Sequence, residues 1–212
     1  MSLALAFGIT ASVITAGKLA WIYRGSAKQV NRTTIDPLPW MIWSVLGVVT
    51  LLPQLTRVGW QWTMLFGCAN LAINITVVWL ARTHDMGRPT KGDLMALGVA
   101  GLGITLWVAS GDAFYGLWFS LIADFVGVAR IWLKAWRDPE RELIATWLLG
   151  ACAAVSALVS AVYSGQTITW WYPAYVVGNA LTSAIIIACR RAHLRRRTTE
   201  RKEGVIPAIT TL

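Results

Sequence analysis

Long apolar stretches alternate with short polar ones along this chain, and the alternation predicts seven helices. Each stretch approaches the length of about twenty residues that a helix needs to cross a bilayer. Pro37 and Pro39 open the second stretch, where a missing N–H costs little, and Pro53 is expected to bend or stop it. The predicted spans are residues 3–23, 38–55, 60–80, 94–110, 113–134, 143–163 and 170–189.

The composition strengthens this interpretation. The chain has 212 residues, of which 56% are hydrophobic and 14% are charged. Soluble domains carry about 25% charged residues, so charge is depleted here. Thirteen tryptophans are present, and an aromatic ring with one N–H donor suits the membrane interface. The sequence therefore predicts an all-α membrane protein with seven transmembrane helices.

The distribution of Lys and Arg predicts the orientation. The first, third and fifth loops carry three each, the tail 190–212 carries seven, and the second, fourth and sixth loops carry one, none and none. Cytoplasmic loops carry the excess of basic residues, so the N-terminus is expected outside and the C-terminus inside. The net charge of +9 is thereby explained without nucleic acid, and the basic tail is expected to meet anionic lipid headgroups.

Signs of catalysis or metal binding are missing from the sequence. Cys68, Cys152 and Cys189 all fall within spans, and an odd count there argues against a disulfide framework or a metal site. No Ser/His/Asp spacing, paired carboxylates or phosphate-binding glycine loop is found. We therefore predict a protein that is not an enzyme and has no cofactor or metal.

Ionisable residues inside spans mark candidate functional positions, because a charge inside a bilayer is costly. Asp124 and Arg130 lie six residues apart, about 9 Å along a helix axis and on different faces. Arg130 belongs with Lys134 and Trp136 at the predicted cytoplasmic exit. Asp124 lies nearer the midplane and is expected to face the bundle interior, in a proton-linked role or in helix packing. Lys18 is expected to extend its ammonium group toward the headgroups.

An internal repeat relates the two halves of the chain. Three pairs of residues match at offsets of 111, 109 and 110: Trp21 with Trp132, Asn70 with Asn179, and Trp60 with Trp170. The near-constant offset predicts two parallel three-helix units joined by a fourth helix, an arrangement found among transporters. The units are 1–81 and 113–189, with a cytoplasmic loop and linker helix at 82–112 and the basic tail at 190–212.

Two motifs carry a resemblance to a known superfamily. The segments ADFVGVARIWLKAWRDPE at 123–140 and NRTTIDPLPWMIW at 31–43 resemble those of bacterial seven-helix membrane proteins related to the PQ-loop and SWEET transporters. The positions of the superfamily's Pro-Gln pair hold Gly17-Lys18 and Arg130-Ile131, whereas Pro53-Gln54 ends the second span. The resemblance implies a multi-pass protein of a bacterial inner membrane, with a substrate path lined by Asn70 and Asn179.

Two functions remain open at this point. One is a transporter of a small polar solute that works by alternating access, with substrate contacts from Asn70 and Asn179, from Asn74 on the same face as Asn70, and from Trp43. The other is a non-transporting subunit or receptor that packs against a partner protein. Polar groups converging at the midplane favour the transporter. Homo-oligomerisation is left open.

Overall fold

The structure is a computed structural model that describes residues 2–28, 37–81 and 91–202. These residues form seven α-helices and two short 3-10 turns, Pro139–Arg141 and Thr167–Thr169, with no strand in the described ranges. The helices are α1 (Leu3–Lys28), α2 (Pro37–Val58), α3 (Met64–Ala81), α4 (Lys91–Ser110), α5 (Ala113–Arg137), α6 (Ile144–Ser164) and α7 (Trp171–Lys202). The all-α prediction and its seven helices are confirmed within the described part of the chain.

Local chemistry sets the ends of several helices. Gly59, Gly111 and Gly165 follow α2, α4 and α6 with φ of 68°, 70° and 71°, the left-handed conformation that favours glycine. Asp112 caps α5, because its side-chain Oδ1 accepts a hydrogen bond from the Phe114 N–H at 3.0 Å. Pro139 follows the end of α5 and opens a 3-10 turn that leads into α6.

Six of the helices pack side by side in a closed ring. Helix α3 lies between α1 and α2, and α7 lies between α5 and α6. The ring closes because α1 packs on α6 and α2 packs on α5. Helix α4 lies outside the ring against α5, with a smaller contact to α2. The faces of α3 and α7 that are turned into the ring therefore lie opposite each other across one interior.

Small residues bring α1 and α6 close together. Ala154 and Ala157 of α6 are fully buried. The hydroxyl groups of Ser156 and Ser160 donate to the carbonyls of Phe7 and Ala4 on α1 at 2.8 and 2.7 Å. Small side chains and interhelical hydroxyl bonds are what hold helices together where lipid removes the hydrophobic driving force.

The contact between α2 and α5 is also polar and close. The Thr50 and Ser120 hydroxyl groups lie 2.9 Å apart, and both residues are buried. Pro53 packs against Gly116, where an added Cβ would lie 2.7 Å from the proline ring. The sequence predicts that Pro53 bends or stops its helix, and it does not stop it, since α2 continues to Val58. The buried Gln54 amide donates to the Thr50 carbonyl at 2.8 Å, one turn earlier on the same helix.

The outer surface of the bundle is apolar. Within the described residues, four helices are long and apolar enough to cross a membrane: α2, α5, α6 and α7. Shorter apolar stretches occupy 3–18, 64–79 and 94–110. Val108 is 75% exposed and Ile185 is 61% exposed, in keeping with helices that face lipid. These features fit the predicted membrane protein.

Candidate functional site

The first polar pair in the interior joins α1 to α3. The Lys18 ammonium group donates to the Oδ1 of Asn70 at 3.3 Å. The Asn70 amide nitrogen donates in turn to the Phe66 carbonyl, one helical turn earlier, at 3.0 Å. Lys18 therefore bonds to the amide oxygen of Asn70, and the backbone of α3 bonds to its amide nitrogen. This differs from the expectation that the ammonium group extends toward the headgroups.

The second polar pair joins α5 to α7. The Tyr175 hydroxyl donates to the Oδ2 of Asp124. Tyr172 lies three residues earlier on the same helix. The Tyr172 ring packs on Phe66 of α3, with ring centroids 5.7 Å apart. Tyr172 thus extends across the interior from α7 to α3.

A third polar group lies further along the same two helices. The Trp132 indole N–H on α5 donates to the Ser183 hydroxyl on α7 at 2.8 Å. The Ser183 oxygen lies 2.9 Å from the Asn179 carbonyl and 3.4 Å from its Oδ1. Asn179 is therefore linked through Ser183 to the first helix of its own predicted unit. Asn70 is linked to the corresponding helix by Lys18.

Lys18 and Asp124 share an unusual setting. Both are half-buried, as are Asn70, Tyr172 and Tyr175. Neither charged group forms an ion pair within the described residues. Each bonds instead to a neutral side chain, Lys18 to Asn70 on α3 and Asp124 to Tyr175 on α7. Ionisable groups inside membrane proteins pair with each other or mark a path for a substrate or ion.

The remaining predicted contact residues lie in two places. Asn74 is half-buried on α3, one turn beyond Asn70. Trp43 packs edge-to-face on Trp40 at 5.3 Å and joins the cluster between α2, α4 and α5. An added Cβ at Gly127 would lie 3.2 Å from the Trp43 indole nitrogen, so α5 approaches this ring closely. Trp43 therefore contacts residues on the side of the helix ring where α4 packs.

The predicted exit residues lie where α5 ends. The Lys134 ammonium is 3.4 Å from Glu142 and is 62% exposed. Trp136 is 54% exposed, and its ring lies 5.1 Å from the Arg190 guanidinium carbon. The side chain of Arg130 is outside the described part of the structure. Arg191 donates to the carbonyls of Pro139 and Glu142, and so fastens α7 to the α5–α6 turn.

Several interior residues have no local signal in the sequence. The long apolar run of α7 contains Tyr172, Tyr175 and Ser183. The partners of Tyr175 and Ser183 lie 51 residues earlier, on α5, and Tyr172 packs against a residue of α3. Trp132 is noticeable only through the repeat. Within the described residues, His, Cys, Asp and Glu form no cluster of three that could hold a metal ion.

Comparison with known protein families, with curated proteins and with solved structures finds no match for this chain.

Proposed function

We propose that the chain is a small-solute transporter in which two parallel three-helix units, joined by α4, move against each other around a shared polar interior. The units are 1–81 and 113–189, with the N-terminus outside and the basic tail in the cytoplasm of a bacterial cell. We also propose, from the two motifs, that the chain is related to the PQ-loop and SWEET superfamily.

The order of helix packing supports a repeat of two units. In each half, the third helix lies between the first and the second: α1, α3, α2 and then α5, α7, α6. The contacts between the halves exchange under a twofold rotation, because the first helix of each half packs on the second helix of the other. This is the pattern expected of parallel repeats whose shared axis runs along the membrane normal.

One observation carries the transport proposal. Asn70 and Asn179 occupy matching positions on α3 and α7. Lys18 of α1 bonds to Asn70 directly, and Trp132 of α5 is linked to Asn179 through Ser183. An amide offers both donors and acceptors, which suits a small polar solute. Asp124 and Lys18 supply opposite charges in the same interior, and Asp124 is assigned the proton-linked role. Asn74 extends this polar surface, and Trp43 is assigned to its edge.

The test is solute uptake by purified protein in lipid vesicles. A panel of radiolabelled small polar solutes is offered first to the unaltered chain, and any solute that enters is used with variants. Asn70→Ala and Asn179→Ala should each abolish uptake at unchanged protein level. Gln166→Ala removes an exposed amide between α6 and α7 and should leave uptake intact. Uptake that survives both asparagine variants would refute the site.

A second function is favoured by the outer face of α4. Gly98 and Gly101 are exposed there, and an added Cβ at either position would meet open space. Exposed glycines three residues apart permit close packing of a further helix. A non-transporting subunit would use this face, and Gly98→Leu with Gly101→Leu would then impair its assembly. In a transporter without such a partner, the same double variant should leave vesicle uptake unchanged.

A further inference from the structure

An apolar groove of about 440 Å³ runs along the outer surface between α5 and α7. Its walls are Phe125, Ala129, Trp132, Leu133, Trp136 and Ile186. The α5 members recur every three or four residues and so share one helix face. Trp132 is fixed in the wall from both directions, by its bond to Ser183 at 2.8 Å and by the Phe125 ring at 5.5 Å.

The length of the groove matches one leaflet of a membrane. From Phe125 to Trp136 the helix rises about 16 Å at 1.5 Å per residue. The hydrocarbon core of a bilayer is about 30 Å thick, so one leaflet contributes about half of that. The groove therefore covers the depth that a single acyl chain occupies.

Basic residues continue the groove at its cytoplasmic end. Arg190 follows Ile186 by one helical turn, and its Nε donates to the Trp136 carbonyl at 2.9 Å. That bond, with the stacking on the Trp136 ring, holds the guanidinium group at the mouth of the groove. The two Nη nitrogens of Arg190 have no acceptor among the described residues. His193 and Arg197 are exposed on the same helix face further out.

We infer that this groove binds one anionic phospholipid of the cytoplasmic leaflet, with an acyl chain against α5 and the phosphate at Arg190. Basic pockets beside transmembrane helices on the cytoplasmic side recognise such headgroups. A second copy of the chain would bring its own basic α7 to this end, so the charges oppose that occupant. The inference depends on the cytoplasmic position of the tail and is independent of transport.

Native mass spectrometry of the detergent-solubilised chain, titrated with phosphatidylglycerol or phosphatidylcholine, tests this site. Phosphatidylglycerol should bind more tightly. Arg190→Gln should weaken its binding about fivefold, the change expected for one basic residue at a membrane surface, and should weaken phosphatidylcholine binding less, because the choline cation offsets the phosphate charge. Arg196→Gln removes the same charge from a different face of α7 and should change binding less than about twofold.

A second pair of variants tests the groove without altering its charge. Ala129→Phe fills the groove and should reduce binding of both lipids, whereas Ala109→Phe adds the same ring to the exposed face of α4 and should not. Equal binding of the two lipids by the unaltered chain, or equal effects of Arg190→Gln and Arg196→Gln, would overturn the inference. So would a dimer that Ala129→Phe separates while phosphatidylglycerol binding persists, because a second copy would then occupy the groove.

Discussion

Breaking the bond between Asp124 and Tyr175 should measure how firmly α5 and α7 are joined in the interior. The Tyr175 hydroxyl donates directly to the Asp124 carboxyl group, and both residues are half-buried. Tyr175→Phe removes the donor and keeps the ring, and Asp124→Ala removes the acceptor. The double variant completes a thermodynamic cycle that isolates the energy of the pair.

Two reference values bracket the expected coupling. Hydrogen bonds between membrane helices average about 0.6 kcal/mol and reach about 1.7 kcal/mol. Bonds to charged groups in proteins are worth about 1.5–3 kcal/mol. The acceptor here is a carboxyl group, so the pair belongs near the top of the membrane range and near the bottom of the range for charged groups. We therefore expect a coupling energy of about 1–2 kcal/mol for this pair.

Reversible unfolding in mixed detergent micelles, followed by tryptophan fluorescence, supplies the free energies of the four proteins. A control cycle combines Asp124→Ala with Tyr163→Phe, which alters an exposed tyrosine on α6 that stacks on Phe7. Distant sites should add within about 0.5 kcal/mol. If the Asp124–Tyr175 coupling is no larger than that of the control, the hydrogen bond does not stabilise the interior and the reasoning is refuted.

Three further predictions address the rest of the account. A reporter that is active only in the cytoplasm should be active when fused after Leu212 and silent when fused before Met1, and the opposite result would invert the topology. Ala157→Leu should destabilise the close contact of α1 and α6 by about 1–3 kcal/mol in the same unfolding assay, whereas Val155→Leu on the exposed face should have little effect. Asp124→Asn should change the pH dependence of any uptake found, and an unchanged profile would remove its proton-linked role.

The helices could be predicted from the sequence because each apolar run is long enough to form one. Helices α1 and α7 continue past their apolar runs, to Lys28 and Lys202, so the run does not set where these helices end. The boundaries differ where local bonding intervenes. Helix α3 begins at Met64 rather than at residue 60, since a turn precedes it and the Thr63 hydroxyl bonds to the Ala157 carbonyl at 3.0 Å. Pro53 does not end α2, which continues to Val58.

The interior contacts could not be predicted in the same way. Asp124 and Asn70 stand out as polar residues in apolar runs, but nothing local indicates which residues face them. Tyr175 lies 51 residues from Asp124, and Lys18 lies 52 residues from Asn70. Such pairs follow from how the helices are arranged in the ring, which the periodicity of a single chain does not encode.

The central claim is that a water-accessible polar path runs through the interior, and Cys68 is placed to report on it. This cysteine is half-buried on α3, two residues before Asn70. Cys152 and Cys189 are exposed and can be replaced by serine, which leaves Cys68 as the single thiol. A cysteine in place of Ile75, an exposed position on the same helix, provides a lipid-facing control in a Cys68→Ala background.

The measurement is the rate at which a small, charged thiosulfonate reagent modifies each cysteine in sealed membrane vesicles. Thiosulfonates react with the thiolate, which forms only where water reaches the sulfur. The account predicts that Cys68 is modified from at least one side of the membrane, and much faster than the cysteine at position 75. If Cys68 stays unmodified from both sides, while a cysteine at the exposed loop position 166 reacts readily, the interior is dry and the proposed path does not exist.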